Sequence, residues 1–269
     1  MPTRGLVVGG FVCALGASVA LSTTATATPP KQATHLQVAA IDAAVRAAAP
    51  VKRKVVIGKS VQGRKIVAKL YGNPKASRVA VFVGSMHGDE RAGQRIIKRL
   101  TQVGAPKSTA MWLITSLNPD GDVANTRRNA HKVDLNRNSP HRWKGTGLPW
   151  YNNPGPRAMS EPETRAYVSF LASVKPDVVL VYHQAGNAID SYQAKSMALV
   201  RGIAKRSKLP IKDFPCTGVC TGTLTGWFNS TQQGVALTVE LPRPVSNALV
   251  ERSATAARWA ATSVRDVNR

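Results

Sequence analysis

The sequence is poor in acidic residues, in cysteine and in aromatic residues, and it has no uninterrupted apolar run long enough to span a bilayer. Only 14 Asp and Glu stand against 37 Lys and Arg, a formal charge of +23. Such a charge favours anionic partners, among them nucleic acid, acidic wall polymers and carboxylate-rich peptides. No zinc-finger spacing, basic heptad helix or aromatic RNA-binding signature accompanies it. We therefore expect a basic, solvated surface and no nucleic-acid partner. Anionic wall polymers remain possible partners.

The N-terminus has the pattern of an export signal. Arg4 precedes an apolar run that ends in small residues, and Ala25-Thr26-Ala27 fits a signal-peptidase site. Gly and Ser interrupt the run, which makes it short for the roughly 20 apolar residues of a membrane anchor, the alternative. The sequence predicts a removed signal at 1–27, a linker with a short helix at 28–48, and one folded domain at 49–269. The protein would then be periplasmic or secreted.

Three cysteines are too few for a four-cysteine zinc cluster. Export would remove Cys13 with the signal and leave Cys216 and Cys220 as an even pair in an oxidising compartment. We predict a disulfide between them, with free thiols or half of a metal site as the alternatives.

Apolar strands alternate with helices along the rest of the chain. Two β segments around a Gly-containing turn precede a nearly all-apolar strand at 78–88. Further strands are predicted at 110–117, 177–183 and 234–241, and helices at 90–102, 160–174, 194–206 and 245–264. The helix at 160 carries an N-cap signal, Ser160 followed by Pro162 and Glu163. The pattern predicts an α/β fold, a single three-layer α/β/α sandwich with a mixed, mainly parallel sheet that binds ligands beyond the strand carboxyl ends.

Three residues at strand ends are candidate metal ligands. His87 and Glu90 follow the apolar strand, and their spacing lets both side chains converge as the turn closes into a helix. His183 ends another apolar strand, at the same sheet edge if the two strands are parallel. Three nitrogen and oxygen ligands leave one position open, which is typical of a catalytic zinc site. We predict one Zn²⁺ per chain.

A further carboxylate, Glu240, ends the apolar strand at 234–241, and Pro242 follows. Burying a carboxylate is costly without a partner or a raised pKa. Glu240 suits a general base that takes a proton from water and passes it to a leaving amine. A structural salt bridge is the alternative.

Arginines concentrate in the polar segment at 125–138, where Val133 and Leu135 would be inward anchors. One Arg there could hold a substrate carboxylate with its planar fork, and another could stabilise the oxygen anion of a tetrahedral intermediate. A solvated surface loop is the alternative. The following polar loop at 138–159 is long enough to indicate either function or disorder.

Together these residues resemble the zinc carboxypeptidases, in order and approximate spacing, over about 54–264. Three segments, Asn118-Pro-Asp-Gly, Val133-Asp-Leu-Asn-Arg-Asn138 and Ser160-Glu-Pro-Glu-Thr164, are most similar to the bacterial murein peptide amidases, which remove diaminopimelate from γ-D-glutamyl wall peptides. The resemblance implies Arg127 as oxyanion stabiliser, and Asn136 with Arg137 as the clamp for a terminal carboxylate. It also implies a peptide substrate with a free C-terminal carboxylate, from the cell wall.

One feature departs from the family pattern. Many members bring a Tyr over the substrate from a loop upstream of the base, whereas this chain has no Tyr between Cys216 and Leu224. Thr221 or Thr223 could supply a hydroxyl instead. The enteric amidases also lack an export signal. A broad secreted carboxypeptidase, a zinc deacylase of the aspartoacylase or succinylglutamate desuccinylase type, and a metal-free wall-binding module are the competing hypotheses.

Overall fold

The computed structural model describes residues 50–192, 194–214 and 220–267, without the side chains of 264–267. Eight strands form one mixed sheet in the order β1-β2-β4-β3-β5-β8-β6-β7. The strands are β1 Arg53–Lys59, β2 Lys65–Gly72, β3 Arg78–Val83, β4 Thr109–Ile114, β5 Val178–Gln184, β6 Ala188–Asp190, β7 Ile211–Lys212 and β8 Val235–Leu241. The predicted signal, linker and short helix at 1–48 lie outside the described residues and stay predictions.

The central strands β4, β3, β5 and β8 run parallel. At one end β1 and β2 pair antiparallel with their neighbours, and near the other end β6 is antiparallel to β8 but parallel to β7. The parallel strands are buried on both faces, which explains their continuous apolar sequences. Their carboxyl ends form a single edge, where polar side chains from distant parts of the chain can meet.

Helices cover both faces of this sheet and so give the predicted three layers. The helices are α1 Ala92–Val103, α2 Pro119–Ala124, α3 Pro162–Val174, α4 Met197–Ser207, α5 Leu224–Thr231 and α6 Asn247–Val267. Apolar residues of α1, α4 and α6 form one core with the sheet, and those of α3 and α5 form a second core on the opposite face. No helix in the described part of the chain is both long and apolar enough to cross a membrane.

The N-cap residue predicted for α3, Ser160, is wrong. The helix begins at Pro162 with Glu161 as N-cap and without a side-chain capping hydrogen bond. Ser160 instead donates to Glu161 Oε1 at 2.7 Å and accepts from the Asn138 amide at 2.9 Å. The hydroxyl that suggested a cap therefore holds the loop before the helix.

The loop at 138–159 is held by a buried amide. Asn138 Nδ2 donates to the carbonyls of Pro154 and Arg157 as well as to Ser160, and its Oδ1 accepts from the Glu161 backbone. Trp143 Nε1 adds a bond to the Pro154 carbonyl at 3.0 Å. Of the two predicted alternatives, disorder does not hold, because this loop is tied at several points.

Candidate metal centre and active site

The three predicted metal ligands meet at the carboxyl edge of the sheet. His87 and Glu90 lie in the turn between β3 and α1, and His183 lies near the end of β5, which pairs parallel with β3. Nδ1 of His183 is 3.1 Å from Nδ1 of His87 and 2.9 Å from Oε2 of Glu90. His87 Nδ1 is 2.9 Å from the same oxygen. All three side chains are buried, so one point inside the protein is surrounded by three ligand atoms.

These donors fit one zinc ion. Neighbouring ligand atoms in a tetrahedral zinc site with bonds near 2.0–2.2 Å are roughly 3.4 Å apart, slightly more than the separations found here. The surrounding charge also favours a cation: burial lowers the pKa of His87, but Asp134 and Glu90 outweigh it and raise the value to about 9. A buried centre that stabilises positive charge in this way is suited to a metal ion.

The turn that carries His87 is packed against the next loop. A Cβ on Gly88 would lie 1.9 Å from the backbone of Gly121, so only glycine permits this approach. Asn118 caps the short helix α2 by accepting from the Gly121 amide at 2.9 Å. The Asn-Pro-Asp-Gly segment therefore acts as a support for the metal-binding turn.

Asp134 is a site residue to which the sequence pattern assigned no role. Its Oδ1 lies 3.0 Å from His87 Nε2, and its Oδ2 accepts from Arg127 Nε at 3.0 Å. Burial raises the pKa of this carboxyl, but His87 and Arg127 outweigh that and hold it below its usual range. A carboxylate on the far nitrogen of a ligand histidine fixes the ring orientation and leaves Nδ1 for the metal. Asp134 is the only acidic residue in the segment at 125–138, and this isolation among arginines was a sequence signal for its role.

Replacing Asp134 with Asn is expected to weaken zinc binding by about 10- to 100-fold, because the histidine loses the charge that orients it. Competition with a chelator of known zinc affinity measures this. Glu251→Gln, which alters an exposed carboxylate paired with Arg99, serves as the control and should bind zinc like wild type. Equal zinc affinity in Asp134→Asn and wild type would contradict the supporting role.

Glu240 stands beside the metal site because of strand register. In the parallel pairing of β5 with β8, His183 and Glu240 are direct partners. Gly186 N donates to Glu240 Oε2 at 3.2 Å, and the half-buried side chain lines the same cavity as the ligands. The residue predicted as general base therefore faces the centre, and no ion pair among the described residues engages it, which argues against the salt-bridge alternative.

The two predicted arginines differ in their partners. Arg127 binds both Glu90 and Asp134 at 3.0 Å and still has donors for the cavity that it lines. Arg137 is buried at 7% exposure, donates to the Asn136 carbonyl at 2.8 Å, and has no partner for Nε. Within the described residues no carboxylate forms an ion pair with Arg137. Asp134 attracts the guanidinium without a direct ion pair, so Arg137 still has donors for a ligand.

Asn136 lies next to Arg137 in a short 3₁₀ helix at Leu135–Arg137, and Val133 and Leu135 are buried as anchors, as predicted. Asn136 Oδ1 accepts from Leu224 N at 3.0 Å, which leaves the amide nitrogen free to donate. A cavity of about 510 Å³ joins these residues to the metal site. This volume is within the range of small-molecule and peptide pockets.

The cavity wall also includes residues near the loop that lacks the family Tyr. Cys220 and Thr223 line it, and the Thr223 hydroxyl caps α5 by accepting from Gly226 N at 3.1 Å. The Thr221 hydroxyl is buried without a hydrogen-bond partner in the described structure. Cys216 lies outside the described residues, so the disulfide with Cys220 stays a prediction.

A family model described as zinc carboxypeptidase matches residues 38–206, most of the chain. The chain belongs to the zinc carboxypeptidase family. All three metal ligands fall within the match, whereas Glu240 lies beyond its end. The protein is accordingly a zinc metallopeptidase, and His87, Glu90 and His183 are the triad able to hold its single zinc ion.

Individual relatives agree with this placement. Murein peptide amidase A of Vibrio campbellii is 30% identical over 204 residues, covering 70% of this chain and 79% of the relative. Carboxypeptidase D of Drosophila melanogaster is 28% identical over 61% of this chain but only 13% of its own length. The murein-tripeptide amidase from Escherichia coli O157 shares the fold with a TM-score of 0.67 at 24% identity, covering 81% of this chain and 95% of that structure.

Proposed function

We propose that this zinc carboxypeptidase is exported and removes the C-terminal residue from murein peptides of the γ-D-glutamyl-diaminopimelate type. Similarity to murein peptide amidase A supports the substrate, and the signal-like N-terminus supports export. A free C-terminal carboxylate is the feature that the enzyme would recognise.

The observation that carries this proposal is the buried guanidinium of Arg137, which forms no ion pair with a carboxylate among the described residues. Burial lowers the pKa of this group below its usual range, which means that its charged form is destabilised by lost hydration. A substrate carboxylate would restore the missing partner with two parallel hydrogen bonds. The Asn136 amide lies next to Arg137 and can donate to the same group. This arrangement selects chain ends, which an endopeptidase does not require.

The remaining residues can divide the chemistry of hydrolysis between them. When bound, zinc lowers the pKa of water and polarises the carbonyl of the scissile amide. Glu240 is placed to take the proton from the attacking water and to deliver it to the departing amine. Arg127 has donors available for the oxygen anion that develops on the former carbonyl.

An acid of the cavity wall and a lysine beside it offer two opposite charges for the side chain of the released residue. Asp190 lines the cavity, and its strand partner in register is Lys212, which is exposed and lies beside the lining rather than in it. The two do not bind each other: Asp190 accepts from Tyr192 N at 2.9 Å, and Lys212 donates to the Gly186 carbonyl at 3.4 Å. Diaminopimelate ends in both an ammonium and a carboxylate, which match this acid and this base.

The proposed function is tested by incubating the zinc-loaded protein with L-Ala-γ-D-Glu-diaminopimelate and, in parallel, with ordinary peptides, and identifying products by mass. Release of diaminopimelate at the higher kcat/KM is the expected result. Preferential cleavage of ordinary peptides would instead establish a broad carboxypeptidase. Cleavage of neither would remove the peptidase proposal for these substrates.

Asp190→Asn is expected to lower kcat/KM for the diaminopimelate peptide by about 10- to 100-fold, since a hydrogen bond to a charged group contributes about 1.5 to 3 kcal/mol. Cleavage of a peptide that ends in a neutral residue should be unaffected. Asp213→Asn removes the same charge nearby from an exposed residue outside the cavity lining and serves as the control. Equal losses on both substrates would contradict a role of Asp190 in specificity.

A further inference from the structure

One face of the β1–β2 pair carries four lysines and no acid. Lys54 is directly opposite Lys69, and Lys59 is directly opposite Lys65. Val56 and Val67, also opposite each other, lie between the two lysine pairs. We call these six residues the lysine face.

This face is at the end of the sheet that helices leave open. The alternate residues of the two strands, such as Val55 and Ile66, point to the other side and join the core with α3. Of the described helices, α3 is the one that packs against β1, and it does so on that other side. Val56 is 46% exposed, and the lysines other than Lys69 are exposed as well, so most of the lysine face is open to solvent in the described structure.

Two like-charged pairs directly across a ladder destabilise a sheet. No acidic side chain of the described residues forms an ion pair with any of the four lysines. Nearby sequence offers none either, because 43–88 holds ten Lys and Arg and not a single Asp or Glu. The repulsion is thus not relieved within the described chain, and an anionic partner would relieve it.

Protection of a sheet edge does not account for this arrangement. Lysines on an edge strand prevent pairing with other chains, and β1 is such an edge. Lys69, however, is on β2 and has a partner on each side, Lys54 of β1 and Leu113 of β4. A lysine at this position, opposite another lysine, adds charge density that edge protection does not need.

We infer that the lysine face is a docking surface for a linear, base-free polyphosphodiester of the cell envelope. Lys65 and Lys69 are four residues apart, so the two lysine pairs are spaced by about 13 Å along the strands and can contact successive anionic groups of one chain. The face has valines between its lysines and no aromatic residue. Single-stranded nucleic acid is bound with aromatic stacking, and membrane surfaces with inserted Trp, Phe or Leu, so both fit this face less well.

The test measures binding of the full chain to soluble poly(glycerol phosphate) at several salt concentrations. Wild type should bind with an affinity that falls as salt rises, and Lys54→Glu with Lys69→Glu should weaken binding by about tenfold or more, because lysine contacts that release counterions are lost. The matched control, Arg201→Glu with Lys205→Glu, makes the same charge change on exposed residues of α4, which packs against β6 near the other end of the sheet. It should weaken binding less than threefold.

Further arms separate the alternatives. Lys54→Gln with Lys69→Gln should show a smaller loss in the same direction, and thermal unfolding checks that each variant folds. Equal losses in the lysine-face and α4 variants would overturn the proposal, since binding would then reflect net charge alone. Tighter binding to a DNA oligonucleotide of equal phosphate number, or to phosphatidylglycerol vesicles, would also overturn it. Hydrolysis of a small soluble peptide should stay at the wild-type rate, so failure here is distinguishable from failure of the proposed reaction.

Discussion

Arg137→Ala is expected to lower kcat/KM for a free-acid peptide roughly 30- to 5,000-fold, while zinc content stays at the wild-type level. This factor corresponds to a loss of about 2 to 5 kcal/mol in transition-state stabilisation. The reason is that the buried Arg137 guanidinium has no carboxylate partner among the described residues, so its partner would be the substrate carboxylate. In the alanine variant, the substrate carboxylate loses that partner. Steady-state kinetics and metal analysis measure both quantities. Arg128→Ala is the matched control, because Arg128 is in the same segment but does not line the cavity and lies over the Trp150 ring instead.

Amidating the substrate carboxylate provides the complementary change. Wild type should lose most of its activity on the amidated peptide, whereas Arg137→Ala should lose little more, since both changes remove one interaction and are not additive. Arg137→Lys should recover only part of the loss, because lysine keeps the charge but lacks the planar fork. If wild type cleaves amidated and free-acid peptides equally well, the carboxypeptidase proposal is wrong.

Glu240→Gln is expected to reduce kcat by about 10²- to 10⁴-fold, the usual contribution of a general base, with zinc still bound. Glutamine has nearly the same shape and can keep the hydrogen bond from Gly186 N, so the cavity should be preserved. The measurement is kcat under saturating substrate, with metal content determined on the same sample. A variant that keeps wild-type kcat would exclude Glu240 as the base.

His183→Ala separates loss of metal from loss of the base. Two remaining ligands cannot hold a tetrahedral site well, so this variant should lose zinc together with activity. Glu240→Gln should lose activity alone. Full zinc retention in His183→Ala would refute the ligand assignment.

The elements of the fold followed from local patterns where those patterns were strong. The continuous apolar runs of β3, β4, β5 and β8 predicted buried parallel strands, since such strands are covered on both faces. Short elements such as β6, β7 and α5 were not predicted, because a few residues give too little periodicity. Ser160 misled for a related reason: a hydroxyl before a helix can bond to any nearby partner, and here that partner is the buried Asn138.

The sequence by itself was enough to predict the metal ligands and Glu240 as the base, because residue chemistry and position at strand ends restrict what His87, Glu90, His183 and Glu240 can do. The roles of the two arginines came from the family resemblance, and the catalytic roles stay predictions. Only the tertiary structure revealed Asp134 behind His87, Asp190 in the cavity, and the lysines facing one another on β1 and β2. These relationships depend on strand order, register and the path of loops, which arise from long-range packing. A one-dimensional pattern records which side chains are present but not which of them become neighbours.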